Sequence, residues 1–145
     1  MKVRLHRSLA LALLPCVALA AHATGHFCGQ DRPHPIDTAL GQASARSGGV
    51  TVDLANAQSA AWAAWDKELN RVYAALLKKA PSPEALRAAQ RAWLAYDKAQ
   101  AQWDAALHAD EGTSAALNQG GASLQRRRAR VCDLQNDLDG LDGLE

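Results

Sequence analysis

From residue 53 onward, apolar residues recur every three or four positions, the spacing of one face of an α-helix. Thr51 or Asp53 can cap the beginning of the first such helix, and Pro81 and Pro83 end it near residue 80. Its apolar stripe consists of Trp62, Trp65, Leu69, Val72 and Leu76, with Tyr73 and Leu77 beside it.

A second apolar stripe begins directly after the Pro81-Ser82-Pro83 segment. Ser82 is a suitable N-cap, and Pro83 suits the first helical turn because its missing N–H has no partner there in any case. So short a connection predicts that the first two helices are antiparallel neighbours. The second stripe consists of Leu86, Ala89, Trp93, Tyr96, Gln100, Trp103 and Leu107.

A third helical stripe follows, with Thr113 or Ser114 as its cap. The pair Gly120-Gly121 lies inside it, and each glycine costs about 1 kcal/mol relative to alanine in a helix. The glycines therefore predict a late start or a kink in this helix. Its apolar residues are Leu117, Leu124, Val131, Leu134 and Leu138.

These patterns predict an all-α protein, an antiparallel three-helix bundle built on a helical hairpin. Residues 24–50 contain Pro33, Pro35, Gly41, Gly48 and Gly49 with little apolar periodicity, so we expect an irregular N-terminal arm there. The helical domain should occupy residues 51–138. The acidic, glycine-containing residues 139–145 are expected to be a disordered tail.

The N-terminal residues 1–23 have the organisation of a secretory signal peptide. Lys2, Arg4 and Arg7 precede an apolar run that ends at a small-residue cleavage site before Thr24. The run is shorter than the roughly 20 residues of a membrane-spanning helix. We therefore expect a periplasmic or secreted protein without a membrane span. A lipid anchor on Cys16 is disfavoured because Pro15 precedes it.

Removal of the signal peptide leaves two cysteines, Cys28 and Cys132. In an oxidising compartment, an isolated pair near the two ends of a small domain predicts a disulfide. Two free buried thiols are the alternative.

Charge and motifs argue against several function classes. The chain has 16 Lys and Arg against 15 Asp and Glu, a balance that gives no reason to expect a nucleic-acid partner. It contains no HExxH, GxSxG, phosphate-binding glycine loop or CxxC motif, so we expect neither an enzyme nor a cofactor. The arginines at 126, 127, 128 and 130 fan around a helix, which favours a solvated face over a phosphate or polyanionic-glycan site.

One weak metal-binding possibility lies at the expected mature N-terminus, Thr24-Gly25-His26. A free amine, two backbone amides and the imidazole of His26 form the nitrogen set that suits copper(II) or nickel(II).

The aromatic residues divide into two groups. Trp65 and Trp93 are predicted to thicken the core of an alanine-rich bundle. Trp62 and Trp103 should lie at the hairpin end opposite the Pro-Ser-Pro turn, where alanine neighbours leave them partly exposed as anchors for a partner.

Two segments, "WDKELNRVYAALLKK" and "LRAAQRAWLAYDKA", resemble the LprI-type lysozyme inhibitor family of small exported bacterial proteins. We expect Asn70 to be buried and to bond Gln90 or the Tyr96 hydroxyl across the hairpin. The residues that carry the resemblance are Leu69, Asn70, Tyr73, Gln90, Trp93, Leu94 and Tyr96.

The resemblance implies a protein that binds and blocks lysozyme-type muramidases. The alternative is a helical module that binds another envelope protein or a peptidoglycan fragment, because a family label does not by itself transfer function. Loops suit an inhibitory contact better than helix faces. The candidate contacts are Pro81–Pro83 with Lys78 and Lys79, and the loop of residues 110–114 with Asp110 and Glu111.

Overall fold

The structure, a computed structural model, describes residues 27–29 and 32–143. Within these residues the chain is helical and contains no strand, which confirms the all-α prediction. The expected signal peptide, Cys16 and His26 lie outside the described residues. The helices are α1 (Pro35–Arg46), α2 (Thr51–Lys79), α3 (Pro83–Leu107) and α4 (Ala115–Asp142), with short 3₁₀ turns at Phe27–Gly29 and Gly112–Ser114.

Helices α2 and α4 form the main packing interface and run parallel to each other. Near their beginnings, the Trp62 indole N–H donates to Ser123 Oγ at 3.1 Å, and near their ends Lys79 Nζ donates to Asp142 Oδ1 at 2.5 Å. The register therefore holds along the whole interface. The buried residues between them are Trp65, Leu69, Val72 and Leu76 of α2 with Leu124, Val131, Leu134 and Leu138 of α4.

The glycine pair of α4 causes no late start, because the helix is continuous from Ala115. A Cβ atom at Gly120 would lie 2.8 Å from Gln58 Oε1, closer than side-chain atoms normally approach. Gly120 therefore leaves room for the side-chain amide of Gln58 between α2 and α4.

The prediction of an irregular arm over residues 24–50 is wrong for its second half, which forms α1. Pro35 begins the helix, and His34 caps it by accepting a hydrogen bond from the Ile36 N–H at 3.3 Å. Ile36 and Leu40 pack against the core. Pro33 and Pro35 therefore mark the beginning of a helix and not an irregular segment.

The acidic tail also differs from its prediction, since α4 continues to Asp142. Leu138 is buried and Leu141 packs against the core. These two leucines extend the apolar face of α4 by one more turn, so the residues between 139 and 142 remain helical despite their acidic side chains.

Helix α3 begins where the sequence predicts. Ser82 caps it by accepting a hydrogen bond from the Ala85 N–H at 3.3 Å, and Pro83 lies in the first turn. Its packing differs from the expected hairpin, because α3 packs against α4 more than against α2. The two buried residues of α3, Gln90 and Asp104, are both polar. Polar contacts therefore hold this helix in place.

The predicted disulfide between Cys28 and Cys132 is present, with the two Cα atoms 5.2 Å apart. It fastens the N-terminal 3₁₀ turn to the third turn from the C-terminal end of α4. Phe27 beside it is buried, 5.1 Å from the ring of Trp65. The bridge closes a loop with a sequence separation of 104 residues.

A variant with Cys28→Ser and Cys132→Ser should lose about 4 to 5 kcal/mol of unfolding free energy, because closing so long a loop removes much conformational entropy from the unfolded chain. Urea unfolding of the oxidised protein and the variant measures the difference. Reduction should lower the stability of the parent protein and leave the variant unchanged; equal stability of parent and variant would contradict the prediction.

Candidate functional site

The arginine run of α4 lies at the junction of all four helices. Arg126 donates to Asp97 Oδ1 at 3.0 Å and to Asp104 Oδ2 at 2.5 Å, both on α3. Arg128 donates to Asp37 Oδ2 of α1 at 2.8 Å. The prediction of a solvated face is therefore wrong for these residues, because carboxylates of the neighbouring helices bind them.

Arg127 occupies the centre of this cluster and is only 7% exposed. One terminal nitrogen donates to Asp66 of α2, and the other donates to Asp97 Oδ2 of α3 at 3.2 Å. Its guanidinium carbon lies 4.3 Å from the ring centroid of Trp62 and 5.4 Å from that of Trp93, within the range of cation–π attraction. A single side chain thus connects α2, α3 and α4.

The remaining arginine of the run, Arg130, pairs with an amide. Its Nε donates to Gln90 Oε1 at 3.1 Å, which satisfies the one buried amide of α3. Together with Arg126 and Arg127 it contacts the whole inner face of α3. We call these three arginines with Asp66, Gln90, Asp97 and Asp104 the arginine cluster.

The electrostatics of the cluster keep Asp104 ionised. Burial alone would raise the pKa of the Asp104 carboxyl, but hydrogen bonds from Arg126 and Gln100 outweigh burial and hold the pKa below its ordinary value. For the Arg126 guanidinium, burial alone would lower the pKa, but the hydrogen bonds to Asp97 and Asp104 outweigh burial and raise the pKa above its ordinary value. Both groups are therefore charged over the physiological pH range.

An open groove of about 310 Å³ lies between α2 and α3 beside this cluster. Arg87 and Arg91 stand at its α3 side, and Asp66 and Arg127 connect it to the cluster. Arg91 is exposed, and Arg87 makes a solvent-exposed contact of 3.6 Å with Glu84. The groove, called the α2/α3 groove below, is lined by Asp66, Leu69, Asn70, Tyr73, Arg87, Gln90, Arg91, Leu94 and Arg127.

A second concavity, of about 320 Å³, lies at the turn between α2 and α3. Leu76, Pro81, Leu86 and Leu141 make it mainly apolar, and Asp137 stands in its wall. A third groove, of about 350 Å³, lies between α2 and α4 and includes Trp62 and Gly120.

Comparison with known families decides the classification. The family model described as "Lysozyme inhibitor LprI" matches residues 42–134, more than half of the chain. The chain belongs to the LprI family. No curated protein and no solved structure matches it.

The residues that carry the LprI resemblance have different environments. Leu69 is buried, and Tyr73 and Trp93 pack half-buried against the core. Leu94 and Tyr96 are exposed. The α2/α3 groove therefore brings five of the seven together: Leu69, Asn70, Tyr73, Gln90 and Leu94.

The expected bond across the hairpin from Asn70 is wrong. Asn70 is exposed, and its amide donates to the Asp66 carbonyl oxygen at 2.8 Å and to Asp66 Oδ2 at 3.3 Å, both on its own helix. Gln90 accepts from Arg130 instead, and Tyr96 points to solvent. Asn70 thus lines the groove, where it orients Asp66 beside Arg127.

The residues proposed from sequence as partner contacts are also distributed over several environments. Trp65 is fully buried, as predicted for the core, whereas Trp62 is 37% and Trp103 58% exposed. Trp62 already packs on Arg127, but Trp103 projects from the outer face of α3. Lys78 is exposed, and Lys79 pairs with Asp142.

The loop after α3 is locally ordered. Glu111 lies 2.9 Å from His108 Nδ1 and accepts from the Asn118 amide at 2.5 Å, and the hydrogen bond from His108 is the main reason for its lowered pKa. Asp110 beside it is exposed.

The described residues contain no group of three or more His, Cys, Asp or Glu side chains that could hold a metal ion. None of their helices combines the length and the apolar content that crossing a membrane requires.

The sequence reasoning missed the arginine cluster and the groove arginines, Arg87 and Arg91. One signal could have identified Arg127: it stands three residues after Leu124 and four before Val131, in phase with the apolar stripe of α4. A charged residue at such a position must find partners inside the fold.

Replacing Arg127 with methionine should destabilise the protein by about 3 kcal/mol or more, because the partly buried carboxylates lose a partner that they need. Arg91→Met, an exposed arginine on the neighbouring groove wall, is the matched control and should change the unfolding free energy by less than about 0.5 kcal/mol. Urea unfolding followed by tryptophan fluorescence measures both. Equal effects of the two substitutions would show that Arg127 is not structurally important.

The lowered pKa of Asp104 predicts acid sensitivity with a defined sign. A depressed carboxyl pKa stabilises the fold fully above the unfolded-state value of about 3.9, and this contribution disappears as the pH falls through the lower folded-state pKa. Asp104→Asn should therefore reduce the loss of stability between pH 7 and pH 2.5. Unfolding free energies at several pH values measure it, with exposed Asp110→Asn as the control; identical pH slopes for parent and Asp104→Asn would contradict the assignment.

Proposed function

We propose that the mature, exported protein binds and inhibits a lysozyme-type muramidase in the cell envelope. The observation that carries this proposal is the match to the lysozyme inhibitor family over residues 42–134. The role is that of a protein-binding inhibitor and not of an enzyme.

The α2/α3 groove is the surface that we propose for the inhibitory contact. It joins five residues of the family resemblance to the exposed guanidinium groups of Arg87 and Arg91. A typical lysozyme has two carboxyl groups flanking its scissile bond. A guanidinium group aimed at them can form charge-assisted, bidentate hydrogen bonds while the surrounding helix blocks access to the cleft.

The arginine cluster has a supporting role in this proposal. It holds α3 against α4 and so fixes the distance between the two walls of the groove. Arg87 and Arg91 project from α3, so their position depends on that helix. A rigid support of this kind lowers the entropy lost on binding.

The turn at Pro81 and the loop of residues 110–114 are less favoured contacts. The cation Lys79 is already paired with Asp142, and Glu111 is bonded to His108 and Asn118. Lys78, Asp110 and the acidic residues at the end of α4 can still influence how a basic lysozyme approaches, since charges outside the contact mainly change association rates.

The experiment measures peptidoglycan lysis by lysozymes of several classes with the oxidised mature protein at micromolar concentrations. We expect dose-dependent inhibition of at least one class. Arg87→Ala with Arg91→Ala should weaken inhibition tenfold or more, because the two guanidinium groups provide the charged contacts.

Lys67→Ala with Lys98→Ala removes the same charge from exposed positions outside the groove and is the matched control. Lys78→Ala, placed beside the turn, tests the less favoured contact. Loss of inhibition in either of these variants, with the groove variant unaffected, would move the contact away from the groove. A folded sample that inhibits no lysozyme would overturn the proposed function.

A further inference from the structure

Helix α3 carries an uncharged, outward-facing stripe along its whole length. Its members follow one another at spacings of four, three, four, three, four and four residues, which places them on one side of the helix. All are exposed, including Tyr96 at 53%, Trp103 at 58% and Leu107 at 56%. We call this set the α3 stripe: Ala85, Ala89, Ala92, Tyr96, Ala99, Trp103 and Leu107.

The stripe exists because the inner face of α3 is polar. Arginines of α4 bind Gln90, Asp97 and Asp104 on that face, and Tyr96, Trp103 and Leu107 remain outside the bundle. The three large members lie in the C-terminal half of the stripe, and small alanines occupy its N-terminal half. An exposed, continuous apolar face of this kind is typical of an interaction surface.

We propose that the α3 stripe binds the same stripe of a second copy, antiparallel, in a two-fold symmetric dimer. With Tyr96 on the two-fold axis, a residue after Tyr96 in one copy faces the residue equally far before Tyr96 in the other copy. Leu107 of one copy therefore lies opposite Ala85 of the other. The same operation places Trp103 opposite Ala89. Each large side chain thus meets a small one, so the surface is complementary to itself, as a two-fold interface requires.

The charges and the size of the surface fit this partner. Most positions that flank the stripe are also uncharged: Leu86, Ala88, Trp93, Ala95, Gln100 and Gln102. Of the charged ones, Asp104 is paired with Arg126, and the antiparallel arrangement places Glu84 of one copy opposite His108 of the other, so two copies bring no like charges together. Since an aromatic side chain buries about 150 to 250 Å², the half-exposed large residues and the alanines together offer on the order of 600 Å² per copy. Two copies would bury about 1,200 Å², the lower end of specific interfaces.

This inference does not rest on the proposed function. The groove arginines Arg87 and Arg91 lie on a different side of α3 from the stripe, so a dimer leaves them exposed. Loss of dimerisation and loss of lysozyme inhibition are therefore separate observations on the same protein.

The test is sedimentation equilibrium of the oxidised mature protein from about 1 to 500 micromolar, the range in which an interface of this size is expected to associate. The average mass should rise from one chain to two. Ala89→Glu places a negative charge opposite the ring of Trp103 and should keep the protein monomeric. Ala105→Glu, at an exposed alanine of the same helix outside the stripe, should dimerise like the parent.

The orientation can be tested by disulfide crosslinking. Tyr96→Cys lies on the proposed axis and should crosslink to itself, whereas the two Ala89→Cys positions would lie about 21 Å apart at a rise of 1.5 Å per residue and should not. Circular dichroism and tryptophan fluorescence confirm that each variant is folded. A protein that stays monomeric at every concentration, or an Ala89→Glu variant that still dimerises, would overturn the proposal.

Discussion

The burial of one guanidinium group, that of Arg127, is the constraint on which the arrangement of the helices depends. It stands in the apolar stripe of α4 between Leu124 and Val131, where a bundle of ordinary composition would have another leucine or valine. A buried charge must be paired or the fold loses several kcal/mol. Only an arrangement that brings Asp66 of α2 and Asp97 of α3 to the same level of α4 satisfies it. Moving α4 by one turn along α2 would separate Arg127 from Asp66, so the ion pair also specifies the register of the main interface.

This constraint has a consequence for α3. A helix held by ion pairs can use aspartate and glutamine on its inner face, and several of its apolar residues are then free to lie outside. The same residues that attach α3 to α4 through Arg126 and Arg130 therefore leave Tyr96, Trp103 and Leu107 in solvent. The groove between α2 and α3 has the same origin. Because α3 packs on α4 more than on α2, the two walls do not close over Asn70 and Tyr73.

Sequence reasoning succeeded where one local rule decided the structure. The proline segment at 81–83 fixed the end of α2 and the beginning of α3, and two cysteines in an expected oxidising compartment predicted their bridge. It failed where two rules competed. Prolines and glycines over residues 24–50 predict an irregular arm, but a proline is equally suited to a first helical turn, and Pro35 begins α1. The spread of the arginine run around its helix predicts a solvated face, but neighbouring helices approach α4 from several sides. Sequence spacing describes one helix and does not show which carboxylates of other helices will meet it.

The disulfide stabilises the same junction, and one of its two cysteines lies outside the segment that the family model matches. That match begins at residue 42, so Cys28 and Asp37 precede it, whereas Cys132 and Arg128 lie within it. The bridge holds Cys28 next to α4, and Asp37 binds Arg128 one turn before Cys132. Arg128 in turn lies 5.5 Å from the ring of Phe27, which packs on Trp65 directly beneath the arginine cluster. The N-terminal segment thus covers the side of α4 that α2 and α3 leave open. The bridge and the Asp37–Arg128 pair thus hold the N-terminal segment against the same part of α4 that carries Arg127.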